Sequence, residues 1–227
     1  MGEKGQAQSA RAGKIKVLLV EDYPLIREAL LHQIERQEGL RACGCASNGR
    51  QTMSLLERAR PDVVVMDIFL DGTDGLDLIK RIAGKYPNLP ILALSIQDEN
   101  IYAERVLRAG GRGYLTKKAE VAEIIAAIRA VAGGRNYFSV NIQERLWARV
   151  RSPGGHNTDP VELLSDRELH VFQLIGKGVS TRTIASRLKI SVKTVETYRS
   201  NIKEKLLLKN GTELVRHAVG WCQDKRL

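Results

Sequence analysis

The sequence predicts an α/β protein built on a doubly wound, five-stranded parallel sheet, followed by a small all-α helix-turn-helix module. Three observations carry this expectation. Short aliphatic runs alternate five times with amphipathic stretches up to residue 134. A Pro-, Gly- and polar-rich stretch, SPGGHNTDP, then breaks the rhythm. Four stretches of helical periodicity with capping signals follow it, without another strand-like run.

The elements are expected in this order. KIKVLLV (14–20) is a continuous aliphatic run, as a strand covered on both faces requires. Pro24 opens a helix, PLIREALLHQIER, with Leu25, Ala29, Leu31 and Ile34 near helical spacing. LRACGCA (40–46), PDVVVMD (61–67), PILALS (90–95) and GRGYLTK (111–117) are the other strands. Helices at 49–60, 76–85, 100–110 and 119–134 separate or follow them, the last stopped by paired glycines. Strand-helix alternation with short connections gives a parallel sheet with right-handed crossovers. Its chemistry belongs at the carboxyl ends of the strands, beside a topological switch point. NIQERLWARVR reads as a short amphipathic helix, and SPGGHNTDP as a flexible linker. Ser165 with Glu168 forms a capping-box pattern ahead of a helix stopped by Gly176 and Gly178. Ser180 caps TRTIASRLKI and Ser191 caps VKTVETYRSNIKEKL, a helix pair joined by a tight turn; GTELVRHAVGWC is a fourth helix.

The composition bounds the function. The chain has 227 residues, 43% of them hydrophobic and 5% aromatic, which suits a globular protein with an aliphatic core. No apolar run reaches membrane-spanning length, and the polar start MGEKGQAQSARAGK lacks a secretion signal. Residues 1–13 are read as a disordered leader, and a cytoplasmic location is the default. Cys43, Cys45 and Cys222 are too few and scattered for a disulfide framework or a four-ligand zinc site. Cys43 and Cys45 are expected on one face of a strand as small buried hydrophobes. Net charge is +10, and residues 163–227 carry +7 of it, from 13 Lys+Arg against 6 Asp+Glu. A basic C-terminal module suggests a polyanionic partner.

Glu21 and Asp22 follow the first strand and Asp67 closes the third. In a doubly wound order these strands are neighbours, so the carboxylates crowd at one rim and repel. A divalent ion relieves this, and Mg²⁺ favours one or two carboxylates with waters and a phosphate. Ser95 adds a hydroxyl from the fourth strand end, and Lys117 or Lys118 an ammonium from the fifth. Such a site can receive a phosphoryl group on a carboxylate, with Mg²⁺ and lysine offsetting charge on the transferring oxygens.

On these residues the chain resembles a bacterial two-component response regulator of the NarL/FixJ type. The receiver resemblance spans about residues 14–134, on VLLVEDYP, VVVMDIFLDGTDGL, ILALS and GYLTK. The output resemblance, to a LuxR-type helix-turn-helix domain, spans about 163–221, on LLSDRELHVFQLIGKGVSTRTIASRLKISVKTVETYRSNIKEKL. The implied organisation is a flavodoxin-like receiver at 14–136, a linker at 137–162 and a DNA-binding domain at 163–227. The resemblance makes Asp67 the phospho-acceptor. Asp22 becomes a direct Mg²⁺ ligand, Glu21 a ligand through water, and the Phe69 carbonyl completes the metal site. Ser95 would bond the transferred phosphoryl group and Lys117, three residues after Tyr114, would pair with it. Tyr114 would be a rotamer switch that turns inward once Ser95 moves. Two positions depart from the family: Asp71 and Lys118 stand where receivers often carry Pro.

In the 192–206 helix, Val195, Ile202 and Leu206, with Tyr198 nearby, form a packing stripe opposite Lys193, Glu196, Thr197, Ser200 and Lys203. A helix fits the DNA major groove. The resemblance makes this the reading helix, with Lys193, Thr197 and Ser200 on bases and Thr194, Arg199 and Lys203 on phosphates. Glu196 stands where many relatives carry Lys, and either accepts from a cytosine amino group or repels the backbone. The implied partners are double-stranded DNA, a cognate histidine kinase, a second copy of the chain and RNA polymerase. Phosphorylation would remodel the face made by residues 100–109 and 112–116, and that face or the first and last receiver helices would pair protomers. The chain is read as a regulator and not an enzyme. A phosphate-ester hydrolase would leave the basic module unexplained, and no second nucleophile stands out. A phosphorylation-independent DNA-binding regulator with a degenerate receiver, or a docking adaptor, is the alternative.

Overall fold

The structure is a computed structural model and describes residues 13–70, 72–151 and 159–224. The expected leader, most of SPGGHNTDP and Asp71 lie outside the described residues. A five-stranded parallel sheet has the order β2-β1-β3-β6-β7, from β1 (Ile15–Val20), β2 (Leu40–Ala46), β3 (Val63–Met66), β6 (Ile91–Ser95) and β7 (Gly113–Thr116). A two-stranded hairpin, β4 (Phe69–Leu70) with β5 (Thr73–Asp74), follows β3. Chain reversal between β2, β1 and β3 places the switch point beside β1 and β3, where the acids were expected.

In the central strands side chains alternate across the sheet, and both faces are buried. Leu18, Val20, Val64, Met66, Ile91 and Ala93 face α2 (Gly49–Ala59), α3 (Gly75–Lys85) and α4 (Glu99–Arg108). Val17, Leu19, Val63, Val65, Leu92 and Leu94 face α1 (Pro24–Glu35) and α5 (Val121–Ala132). Double coverage is why these strands read as unbroken aliphatic runs. Pro24 begins α1, where a missing N–H costs nothing. Gly75 begins α3 because a Cβ there would stand 2.4 Å from the Ile68 Cα.

One expectation fails on β2. The register with β1 slips between Val17 and Leu18, pairing them with Ala42 and Gly44, so Cys43 is the extra residue of a bulge. The bulge breaks the alternation: Cys43 is half-buried and Cys45 is exposed. The pair is therefore not two buried hydrophobes.

In the stretch expected as a linker, Tyr137 N donates to Arg112 O at 2.8 Å and Tyr114 N to Tyr137 O at 2.9 Å. Residues 136–138 thus cover the edge of β7. α6 (Val140–Arg151) then returns to α4, with Ser139 Oγ on Glu99 Oε1 and Arg145 Nη1 on Asn100 O. A 3-10 helix (Pro160–Leu163) leads into α7 (Asp166–Gly176), α8 (Thr181–Leu188), α9 (Val192–Lys205) and α10 (Gly211–Asp224). Ser165 and Glu168 form the expected capping box on α7. Gly178, at φ +73°, belongs to the helix stop, whereas Gly176 lies inside α7. Its role is packing, since a Cβ on Gly176 would meet Cys222 Sγ at 2.4 Å and Ala218 O at 2.5 Å on α10.

Candidate metal centre and nucleic-acid interface

Parallel pairing of β1 with β3 sets Val20 beside Met66, so the residues after them leave the sheet together. Those residues are Glu21, Asp22 and Asp67. One carboxylate oxygen from each lies within 4.8 Å of the other two. Glu21 and Asp67 are buried, at 1% and 5% exposure, and Asp22 is half-buried. Burial raises the Glu21 carboxyl above its usual range, against Lys117. Burial raises Asp67 as well, again opposed by Lys117.

Lys117 enters from the end of β7. Its Nζ is 2.6 Å from Glu21 Oε2 and 2.6 Å from Asp67 Oδ2, while Lys118 is exposed. Burial would lower the basicity of Lys117, but the two carboxylates outweigh it and the ammonium is held above its ordinary value. The other Asp67 oxygen, Oδ1, accepts from Phe69 N at 2.9 Å. Ser95, fully buried at the end of β6, accepts from Gln97 N at 3.4 Å. The backbone beside it is tied in by Lys117 N, which donates to Ser95 O at 2.7 Å. Glu21, Asp22, Asp67, Phe69, Ser95 and Lys117 therefore converge on one rim. Three carboxylates are the hard oxygen donors that Mg²⁺ selects, so the donor set fits that ion.

Two further features bear on the rim. Tyr114 is already inside, at 1% exposure, with its hydroxyl donating to Gln97 O at 2.9 Å. Burial pushes its phenol well above the ordinary range. The Gln97 carbonyl satisfies the hydroxyl, so the inward ring leaves no orphaned donor. Arg27 was not singled out from sequence. Its Nη1 donates to Glu21 O at 2.9 Å and Asp22 O at 3.3 Å, fixing the turn that carries both acids. The available signal was a cation near the start of a helix, where the dipole disfavours one.

In the helical module, α9 buries Val195, Ile202 and Leu206 and half-buries Tyr198. Lys193, Glu196, Thr197 and Ser200 are exposed on the opposite face. Ser191 caps α9 through Thr194 N at 3.0 Å. Thr194, Arg199 and Lys203 are half-buried flanking positions. Glu196 Oε2 lies 3.5 Å from Arg199 Nε, so this acid has a cationic neighbour on its own helix.

Comparison with known proteins places both halves. A family model described as "Response regulator receiver domain" matches residues 17–129, and "Bacterial regulatory proteins, luxR family" matches 162–218. The chain is 35% identical over 205 residues to the response regulator GacA of Pseudomonas syringae pv. syringae, covering 90% of this chain and 95% of the relative. It is 32% identical over 210 residues to the oxygen regulatory protein NreC of Staphylococcus aureus, covering 90% and 97%. Its fold is similar to that of RcsB from Salmonella enterica serovar Typhimurium, solved bound to a promoter with the phosphomimetic BeF3-, at a TM-score of 0.61 and 22% identity over 91% of this chain and 98% of that one. Strand ends, acids, helical module and relatives agree: the chain belongs to the NarL/FixJ-type response regulators, with a receiver domain followed by a LuxR-type DNA-binding domain.

Proposed function

We propose that Asp67 accepts a phosphoryl group from a histidine kinase and that this modification controls binding of the chain to duplex DNA. The observation that carries this reading is the convergence of the Glu21, Asp22 and Asp67 oxygens within 4.8 Å, with Lys117 bridging two of them. A nucleophilic Asp67 oxygen attacks phosphorus, the bond to the donor imidazole breaks, and the imidazole leaves with its electron pair. Lys117 holds Asp67 and then faces the phosphoryl oxygens. Ser95 bonds the new group. Mg²⁺, held by Asp22, Asp67, the Phe69 carbonyl and Glu21 through water, would supply charge neutralisation there. Phosphate incorporation from a small phosphodonor with Mg²⁺ tests the assignment. The expected result is incorporation into the wild type and none into Asp67→Asn; equal incorporation sinks it.

Residues 163–227 are the DNA-binding unit, 14–136 the receiver and 137–162 their connection. α9 enters the major groove, with Lys193, Thr197 and Ser200 on base edges and Thr194, Arg199 and Lys203 on phosphates. One such module buries little duplex, so two chains act on paired half-sites as a homodimer. The cytoplasm, where promoter DNA and RNA polymerase are available, is the place of action.

A further inference from the structure

Glu21 and Asp22 sit on a short turn, since β1 ends at Val20 and α1 begins at Pro24. The entry to α1 is not held by an ordinary cap. Its N-cap residue, Tyr23, makes no side-chain cap bond, and no acid stands in the first turn. The neighbouring helices α2, α3 and α4 are each capped by a side chain, from Asn48, Asp74 and Asp98. On the strand side of the turn, Glu21 N donates to Ala46 O at 2.9 Å. On the helix side, the Arg27 guanidinium reaches back over the first turn. One nitrogen, Nη1, donates to Glu21 O at 2.9 Å and to Asp22 O at 3.3 Å. Arg27 N donates to Tyr23 O at 2.9 Å. Backbone and side chain of a single residue thus fasten the carbonyls of residues 21, 22 and 23.

Charge does not account for an arginine here. The N-terminal turn of a helix disfavours a cation. A cation beside a Mg²⁺ site repels the ion it flanks. Nor does the guanidinium neutralise the acids. Burial, Lys117, Asp67 and Tyr23 N act on the Glu21 carboxyl, and burial, Lys117, Phe69 N and Asp22 act on that of Asp67. Arg27 is in neither set, and its side-chain bonds go to backbone oxygens.

We propose that Arg27 is a positioning residue for the acidic site: by clamping the Glu21 and Asp22 carbonyls it aims both carboxylates at Asp67, and so sets the affinity for the divalent ion and the Mg²⁺ requirement of phosphoryl transfer. This rests on the phosphorylation reading above and adds a residue to it. Mg²⁺ demands near-ideal octahedral geometry, so a small displacement of a ligand is felt as lost affinity. The Glu21 carboxylate has further supports, from Tyr23 N at 3.2 Å and Lys117 Nζ at 2.6 Å. Asp22, half-buried on the turn itself, moves with its backbone, so the direct ligand is the one that Arg27 governs most.

The two roles open to Arg27 have opposite signs. Loss of a repelling cation tightens Mg²⁺ binding, whereas loss of a clamp on the ligands weakens it. Full-length wild type, Arg27→Ala, Arg27→Gln and Arg27→Lys are titrated with Mg²⁺ without phosphodonor, and dissociation constants are read from amide chemical shifts. Thermal midpoints in EDTA report folding. Arg27→Ala is expected to bind Mg²⁺ about tenfold more weakly than wild type, as loss of a residue that orients a metal ligand does. Arg27→Gln, neutral and with a shorter arm, should change in the same direction. Arg27→Lys should recover most of the affinity, because one nitrogen with three hydrogens can serve both carbonyls. With a small phosphodonor, Arg27→Ala should need about tenfold more Mg²⁺ for its half-maximal rate and regain the limiting rate at saturating Mg²⁺. Neutral variants that bind Mg²⁺ as tightly as wild type, or more tightly, would overturn the inference; if Arg27→Ala does not fold, Arg27→Gln decides by the same criterion. That outcome leaves the phosphorylation reading standing. A wild type with no Mg²⁺ affinity that Asp22→Asn removes would overturn both.

Discussion

Lys117 carries the electrostatics of the acidic rim. Two buried carboxylates, both held above their usual range by desolvation, share its ammonium. Removing one partner of a buried pair costs about 3–5 kcal/mol, because the remaining charge is stranded. Lys117→Ala is therefore expected to lower the thermal midpoint of the receiver, and millimolar Mg²⁺ should recover more stability in the variant than it adds to wild type. Thermal unfolding with and without Mg²⁺ measures this; equal Mg²⁺ effects in both proteins would contradict it. Most of the rim was legible in sequence because each residue ends an aliphatic run, and a parallel sheet brings run ends together. The Tyr114 orientation was not legible. It depends on the Gln97 carbonyl, and no pattern in GYLTK encodes that partner.

At the scale of elements, α7 shows how local and non-local signals divide. Its start is local: Ser165 and Glu168 cap each other, as the spacing of the two residues implies. Its end is not. Gly176 looks like a stop signal but serves close approach to α10, and only the packing reveals this. Gly176→Ala should destabilise the output domain by about 1–3 kcal/mol, as overpacking does, with the receiver unaffected. Differential scanning calorimetry resolving the two domains checks it. Glu168 also pairs with Lys205 at 2.6 Å. Burial pushes the Glu168 carboxyl upward, yet Lys205 and the Ser165 bonds prevail and hold it below its ordinary 4.5. A carboxyl lowered by folding stabilises above its unfolded value and loses that contribution as pH falls through the folded one. Output-domain stability should thus decline with acid below pH 4.5. Glu168→Gln should flatten that decline; an unchanged profile would remove Glu168 from the account. The Cys43 bulge was illegible for a related reason, since LRACGCA alternates acceptably in either register.

For the whole molecule, the distribution of charge bears on DNA binding. The sequence assigns most of the basic surplus to the last 65 residues, and the α9 face proposed to read DNA is exposed. Duplex affinity should fall with salt at a log-log slope of about 0.9 per phosphate contact, and Lys203→Ala should reduce that slope by about one unit. An unchanged slope would take Lys203 off the backbone. The interdomain face had no local signature. Phe69, Tyr102, His170 and Gln173 are distant in sequence, and each alone reads as ordinary core or helix surface. The helix of NIQERLWARVR was legible, but its place was not: residues 136–138 complete the β7 edge and α6 covers α4. A protomer contact through the α4–β7 face therefore needs that cover displaced first, whereas α1 and α5 lie on the opposite side of the sheet.

The most direct measurement is the affinity of the full chain for a selected duplex, before and after treatment with a phosphodonor and Mg²⁺, in wild type and Asp67→Asn. Tighter binding after treatment in wild type alone is the expected result. The same response in both proteins, or in neither, would contradict control of DNA binding by the acidic site.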